Sequence, residues 1–119
     1  MILPRQAAHI FLISIFYVVN THNYTYNGSM RYRFDPAKRS ANLKKHGYDL
    51  TDARLVIESS RTVTFEDNRF DYKEARYVTM GLFSDIVVVI VTAETDEEIR
   101  VISMRKADKH EQKIYDEHF

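Results

Sequence analysis

Seven consecutive residues, Ile86 to Thr92, read Ile-Val-Val-Val-Ile-Val-Thr, each of them branched at Cβ. Such side chains are stiff at χ1 and favour extended backbone over helix. The run is apolar on both faces of the pleat, so it has to be covered from both sides, as the central strand of a sheet is. The chain has 119 residues, one domain at roughly 100 to 200 residues per domain. The covering layers must therefore come from the segments before and after this run.

Those segments carry their own signals. Asp35-Pro36 starts a helix, because Asp accepts from the first free N–H groups and Pro has its angle preset for the first helical position. Gly47 ends it. Between them Ala37 and Ala41 form a narrow apolar contact, Lys38, Asn42 and Lys45 share one face, and Arg39, Leu43 and His46 share the next. Thr51 caps a second short helix with apolar positions at Ala53, Leu55, Val56 and Ile57. Strands follow at Thr62 to Phe65 and, after a polar loop from Glu66 to Glu74, at Arg76 to Phe83, where Arg76, Val78, Met80 and Leu82 point one way. The acidic stretch Glu94 to Glu98 is a turn. In the last strand Ile99, Val101, Ser103 and Arg105 alternate with Arg100, Ile102 and Met104, which sends Arg100 and Arg105 to opposite faces. Ala107 to His118 has helical composition with one thin apolar edge. The expected fold is α+β, with two N-terminal helices and one C-terminal helix packed on an antiparallel sheet of about four strands.

Charge divides the chain. Residues 1–29 contain Arg5 as their one Lys or Arg and no acid, whereas 30–119 carry 16 basic and 17 acidic side chains. The apolar run from Ala7 to Val19 is 13 residues long, short of the roughly 20 a helix needs to cross a bilayer. A secretory signal would follow it with small residues at a cleavage site, but a Tyr- and Asn-rich stretch comes instead, with sequons at Asn23 and Asn27. The expected division is an N-terminal extension over 1–29, which reads as translated upstream sequence or a dispensable arm, and a folded domain over 30–119. Within that domain 31–47 carries six basic residues against Asp35, while the whole chain is neutral. A general nucleic-acid binder is excluded, and any such contact must come from a local patch. There are no cysteines, which removes disulfides, thiolate metal sites and thiol nucleophiles.

Taken in order, Phe34-Asp35-Pro36-x-Lys38, Asn42-x-x-Lys45-His46-Gly47, Glu74-x-Arg76, Gly81 and Ile102-Ser103-x-Arg105-x-Ala107 with Glu111 and Tyr115 resemble the BrnT family of bacterial type II toxins. The resemblance spans about residues 32 to 117. It implies a RelE-like fold, a cytoplasmic ribonuclease that inhibits translation, and neutralisation by a BrnA-type antitoxin that also binds operator DNA, with a toxin dimer inside the complex. The chain departs from the family in one place. Many members carry Glu-Arg or Asp-Arg in the turn after the central strand, where this chain has Ala93-Glu94-Thr95-Asp96. That departure supports a second reading, a catalytically inactive module that binds an antitoxin-like partner.

RNA carries its own nucleophile in the 2′-hydroxyl, so a protein needs only to accept that proton, protonate the leaving oxygen and hold the extra negative charge. No metal or other cofactor is expected. His46 is the imidazole suited to proton transfer near neutrality. Lys44 and Lys45 favour its neutral form and the helix C-terminus favours its cation. Arg76 and Arg105 are expected to clamp phosphate with their bidentate forks. Glu74 orients one of them, and Lys38, Lys45, Glu74 and Arg100 make up the substrate-binding set.

Each assignment has a structural rival. His46 can bond the last carbonyls of its helix, Glu74 and Arg76 can form a surface ion pair, Arg105 can cap the sheet, and Tyr115 suits the core. His110 and His118 fall about 12 Å apart on a helix, too far to share a metal ion whose bonds are about 2 Å.

Overall fold

A computed structural model describes residues 31–67 and 74–119 and the backbone of Val18–Asn20. The rest of the N-terminal extension, both sequons and most of the polar loop after Glu66 lie outside the described residues. The elements are β1 (Val18–Asn20), β2 (Arg31–Phe34), α1 (Pro36–His46), a 3-10 turn (Leu50–Asp52), α2 (Ala53–Ile57), β3 (Val63–Glu66), β4 (Ala75–Phe83), β5 (Ile86–Glu94), β6 (Glu98–Lys106) and α3 (Lys109–Glu117).

Among the described residues the sheet has six strands in the order β1-β3-β4-β5-β6-β2. The α+β class expected from the sequence holds, and β3 to β6 form an antiparallel meander. The sheet as a whole is mixed, because β2 lies parallel to β6. A strand that enters a sheet before two helices and joins the last strand can pair parallel, which local alternation does not reveal.

β5 is covered on both faces, as its composition requires. On one face Val89 packs with Val63, Phe65, Val78 and Met80 under Ala107 and Tyr115 of the C-terminal segment. On the other, Val88 and Ile90 pack with Val101 and Met104 under Leu50, Ala53, Val56 and Ile57. Gly81 lets α2 approach β4, since a Cβ there would lie 2.6 Å from Val56 Cγ1. The β4–β5 hairpin turns through Ser84 and Asp85, both at positive φ, the conformation of a type I′ turn.

Three expectations need correction. The second helical segment is opened by Asp49, whose side chain accepts from the Thr51 N–H, so Thr51 is the capped residue and not the cap. Leu55 is 66% exposed, because α2 is too short to bury a full stripe. Finally, Arg100 and Arg105 do not emerge on opposite faces. Val91 pairs with Ser103, but Thr92 pairs with Val101, which leaves Ile102 as the extra residue of a β-bulge. An extra residue resets the alternation of the strand. Arg105 pairs with Val89 and Arg100 with Ala93, and these two β5 residues point the same way.

Candidate functional site

The cationic segment folds as α1. Asp35 accepts from Ala37 N–H, Pro36 follows it, and Gly47 closes the helix at φ 79 with its N–H donating to Leu43 O. Since glycine makes that closure, His46 is not needed for it. Among the described residues the His46 ring has no hydrogen-bond partner, whereas His118 Nδ1 lies 2.8 Å from Ile114 O, the contact that was the structural alternative for His46. Lys38, Ala41, Asn42, Lys45, His46 and Ile102 line an open groove of about 250 Å³. Burial holds the His46 pKa below the ordinary 6.5, with further lowering by Lys45 and by Arg105. Burial and these two cations all act toward the neutral imidazole.

Arg105 reaches this region from β6. Its Nη1 and Nη2 each donate to Glu111 at 2.7 Å, and Glu111 is 0% exposed. The same carboxylate accepts from Asp108 N–H while Asp108 accepts from Glu111 N–H, a capping box that starts α3. Glu111 raises the Arg105 pKa, which keeps the guanidinium charged. Nη1 also donates to Lys106 O at 3.4 Å, and the side chain is 25% exposed, which leaves Nε and the second N–H of Nη2 for a ligand. The Glu111 role is legible in sequence only as Asp108-x-x-Glu111, a helix-start signature. That the Glu also holds Arg105 depends on how α3 docks.

A second group lies along the same sheet face. Arg76 pairs with Ala93, Ala93 with Arg100, and Arg100 with Arg33 of β2, so three arginines stand in one row across adjacent strands. Glu74 accepts from Arg100 Nη2 instead of pairing with Arg76. Arg33 donates to Glu98 at 3.2 Å, and among the described residues Arg100 Nε is buried without a hydrogen-bond partner. Arg33 was not among the expected site residues, since nothing local shows that β2 joins β6.

The expected residues therefore form two groups. Lys38, Lys45, His46 and Arg105 gather at the α1 end of β6, and Glu74, Arg76 and Arg100 gather at the other end of the face. The pairing residues Val89 and Ala93 set the two rows about 13 Å apart at 3.3 Å per residue. One phosphate cannot touch both rows, but one strand can. Tyr115 is buried and donates to Arg61 O, as its structural reading has it. Among the described residues no group of three His, Asp or Glu is placed to hold a metal ion, and no helix is long and apolar enough to cross a membrane.

Comparison with known proteins adds one finding. The model of a family described as "Ribonuclease toxin, BrnT, of type II toxin-antitoxin system" matches residues 34–111, well over half of the chain and both groups of site residues. No curated protein matches the chain.

Proposed function

Since the chain belongs to the BrnT family of ribonuclease toxins of type II toxin-antitoxin systems, we propose that it is an endoribonuclease that cuts single-stranded RNA without a metal ion. What supports this reading is the nearness of His46, whose pKa is lowered by burial, Lys45 and Arg105, to Arg105 at one end of a sheet face that also bears Arg76 and Arg100. His46 accepts the proton of the 2′-hydroxyl, whose oxygen bonds to the adjacent phosphorus as the bond to the 5′-oxygen breaks, and the leaving 5′-oxygen takes a proton from water. Arg105, aimed by Glu111, holds the charge that grows on the phosphoryl oxygens. Arg76 and Arg100, the latter oriented by Glu74, hold neighbouring phosphates, with Lys38 and Lys45 beside the groove.

A ribonuclease toxin of a type II system has an antitoxin as partner and RNA as target. We take the antitoxin to be of the BrnA type, to carry the operator-DNA contact and to bring two toxin chains together, with translation in the cytoplasm as the process inhibited. Full-length protein incubated with single-stranded RNA in EDTA should yield 2′,3′-cyclic phosphate and 5′-hydroxyl ends. An intact substrate in EDTA that is cut once Mg²⁺ is added would sink metal independence. An intact substrate under both conditions, together with no growth arrest on expression, would favour the inactive binding module that Thr95 in the turn suggests.

A further inference from the structure

Eleven residues long, α1 has one buried residue among the described residues, and it is the polar Asn42. Leu43 is half exposed, and no apolar stripe fastens the helix to the sheet. What fastens it is visible at the edge of β6. β2 pairs with β6 from Glu98 to Val101, and beyond Val101 no described strand neighbours that edge. The chain leaves β2 at Phe34 and enters α1 at Pro36. From Val101 to Met104 a strand advances about 10 Å, and from Pro36 to Asn42 a helix advances about 9 Å. Helix and strand keep step, and Asn42 arrives opposite Met104.

There the side-chain amide does what a neighbouring strand would do. Its Oδ1 accepts from Met104 N–H at 3.1 Å, and its Nδ2 donates to Met104 O at 2.8 Å and to Tyr48 O at 2.9 Å. Met104 sits between the bulge at Ile102 and Arg105. The face of α1 that carries Asn42 carries Lys45 three residues on and His46 four residues on, and Gly47 stops the helix at that point.

We propose that Asn42 is a positioning residue: its amide locks the cationic end of α1 onto the open edge of β6, holding His46 beside Arg105 and holding the strand beyond Ile102 in the register that aims Arg105. The consequence for cleavage rests on the nuclease reading, whereas the clamp itself does not. The charged groups facing His46 are Lys45 on its own helix and Arg105 on β6. A helix that swings away from β6 loses the second of these and part of the burial.

The test uses the full chain with Asn42→Ala and Asn42→Ser, neither of which adds charge, and Arg39→Ala as a change on the same helix that leaves β6 untouched. In both Asn42 variants the His46 ring, followed by proton NMR, should titrate at higher pH than in the wild type. The Met104 amide should exchange about tenfold faster or more, and kcat on a single-stranded RNA should fall about 10- to 100-fold. Arg39→Ala should move none of these. Unchanged His46 titration and Met104 exchange in a folded Asn42 variant overturn the clamp. So does a wild-type Met104 amide that exchanges like an open strand edge, a result that needs no variant to fold. If the wild type never cuts RNA while the His46 titration shifts as described, the nuclease reading fails and the clamp stands.

Discussion

Two arginines grip a carboxylate with both ends of the guanidinium fork, Arg39 with Asp49 at 2.8 and 2.9 Å and Arg105 with Glu111 at 2.7 Å twice. In bond lengths they are nearly twins. In surroundings they differ, since the Arg39 side chain is 50% exposed and the Glu111 side chain is 0% exposed. Water and salt already satisfy most of what the first pair offers, so its two charges can part at little cost. The second carboxylate has been taken out of water, so its partner has to stay where it is. Geometry alone does not rank ion pairs. The environment converts one fork into surface decoration of α1 and the other into a fixed mount for a charged group on the proposed RNA face.

Changes that strand one member of the buried pair should show the largest effect. Arg105→Ala leaves Glu111 uncompensated and should cost about 3–5 kcal/mol, read as a loss of unfolding free energy in urea. The joint replacement Arg105→Met with Glu111→Leu removes both charges together and should recover part of that stability, the remainder staying lost because the Asp108 N–H no longer has the Glu111 carboxylate to donate to. It should not recover cleavage, which should stay about 10²- to 10³-fold below wild type. A doubly apolar variant that still cuts RNA at the wild-type rate would make Arg105 a structural residue only.

A smaller effect tests the charge near His46. Its pKa lies below 6.5, so the neutral base persists as pH falls through that value and is lost only lower down. Lys45→Ala removes a cation that repels the imidazolium, so the acid limb of the kcat profile should move to higher pH. An unmoved limb would mean that His46 is not the group titrating in catalysis.

The smallest effect belongs to the exposed pair. Arg39→Ala should leave cleavage unchanged and the melting temperature within measurement error at neutral pH. The Asp49 carboxyl is held well below the usual carboxylate range, chiefly by its bond to Arg39 and also by Thr51. Any stability the pair adds is therefore present above pH about 4 and fades as pH falls through the lowered Asp49 pKa. A substantial loss of stability at pH 7, seen by thermal denaturation, would break the contrast between the two pairs.

Much of this was legible in the chain itself. Asp35-Pro36 and Gly47 delimit α1 because caps act over a few neighbouring residues. The β-branched run of β5 announces two covering layers because burial on both faces is a property of composition. The grouping of Lys38, Asn42 and Lys45 follows from helical spacing, whereas His46, read from the sequence on the adjacent face, joins them in one groove only in the structure. Less legible was the partner of Glu74, since Arg100 lies on another strand and Arg76 lies next door in sequence. Arg33 escaped notice for the same reason.

Local residue order thus determined where helices and strands begin, which side chains ride together on one helix, and that a sheet with cover on both sides must form, because backbone capping and side-chain periodicity are short-range. Only the tertiary structure decided which arginines share a face. That outcome depends on one extra residue at Ile102, on a parallel β2 and on a buried Glu111, and each of these is fixed by contacts between segments far apart in the chain.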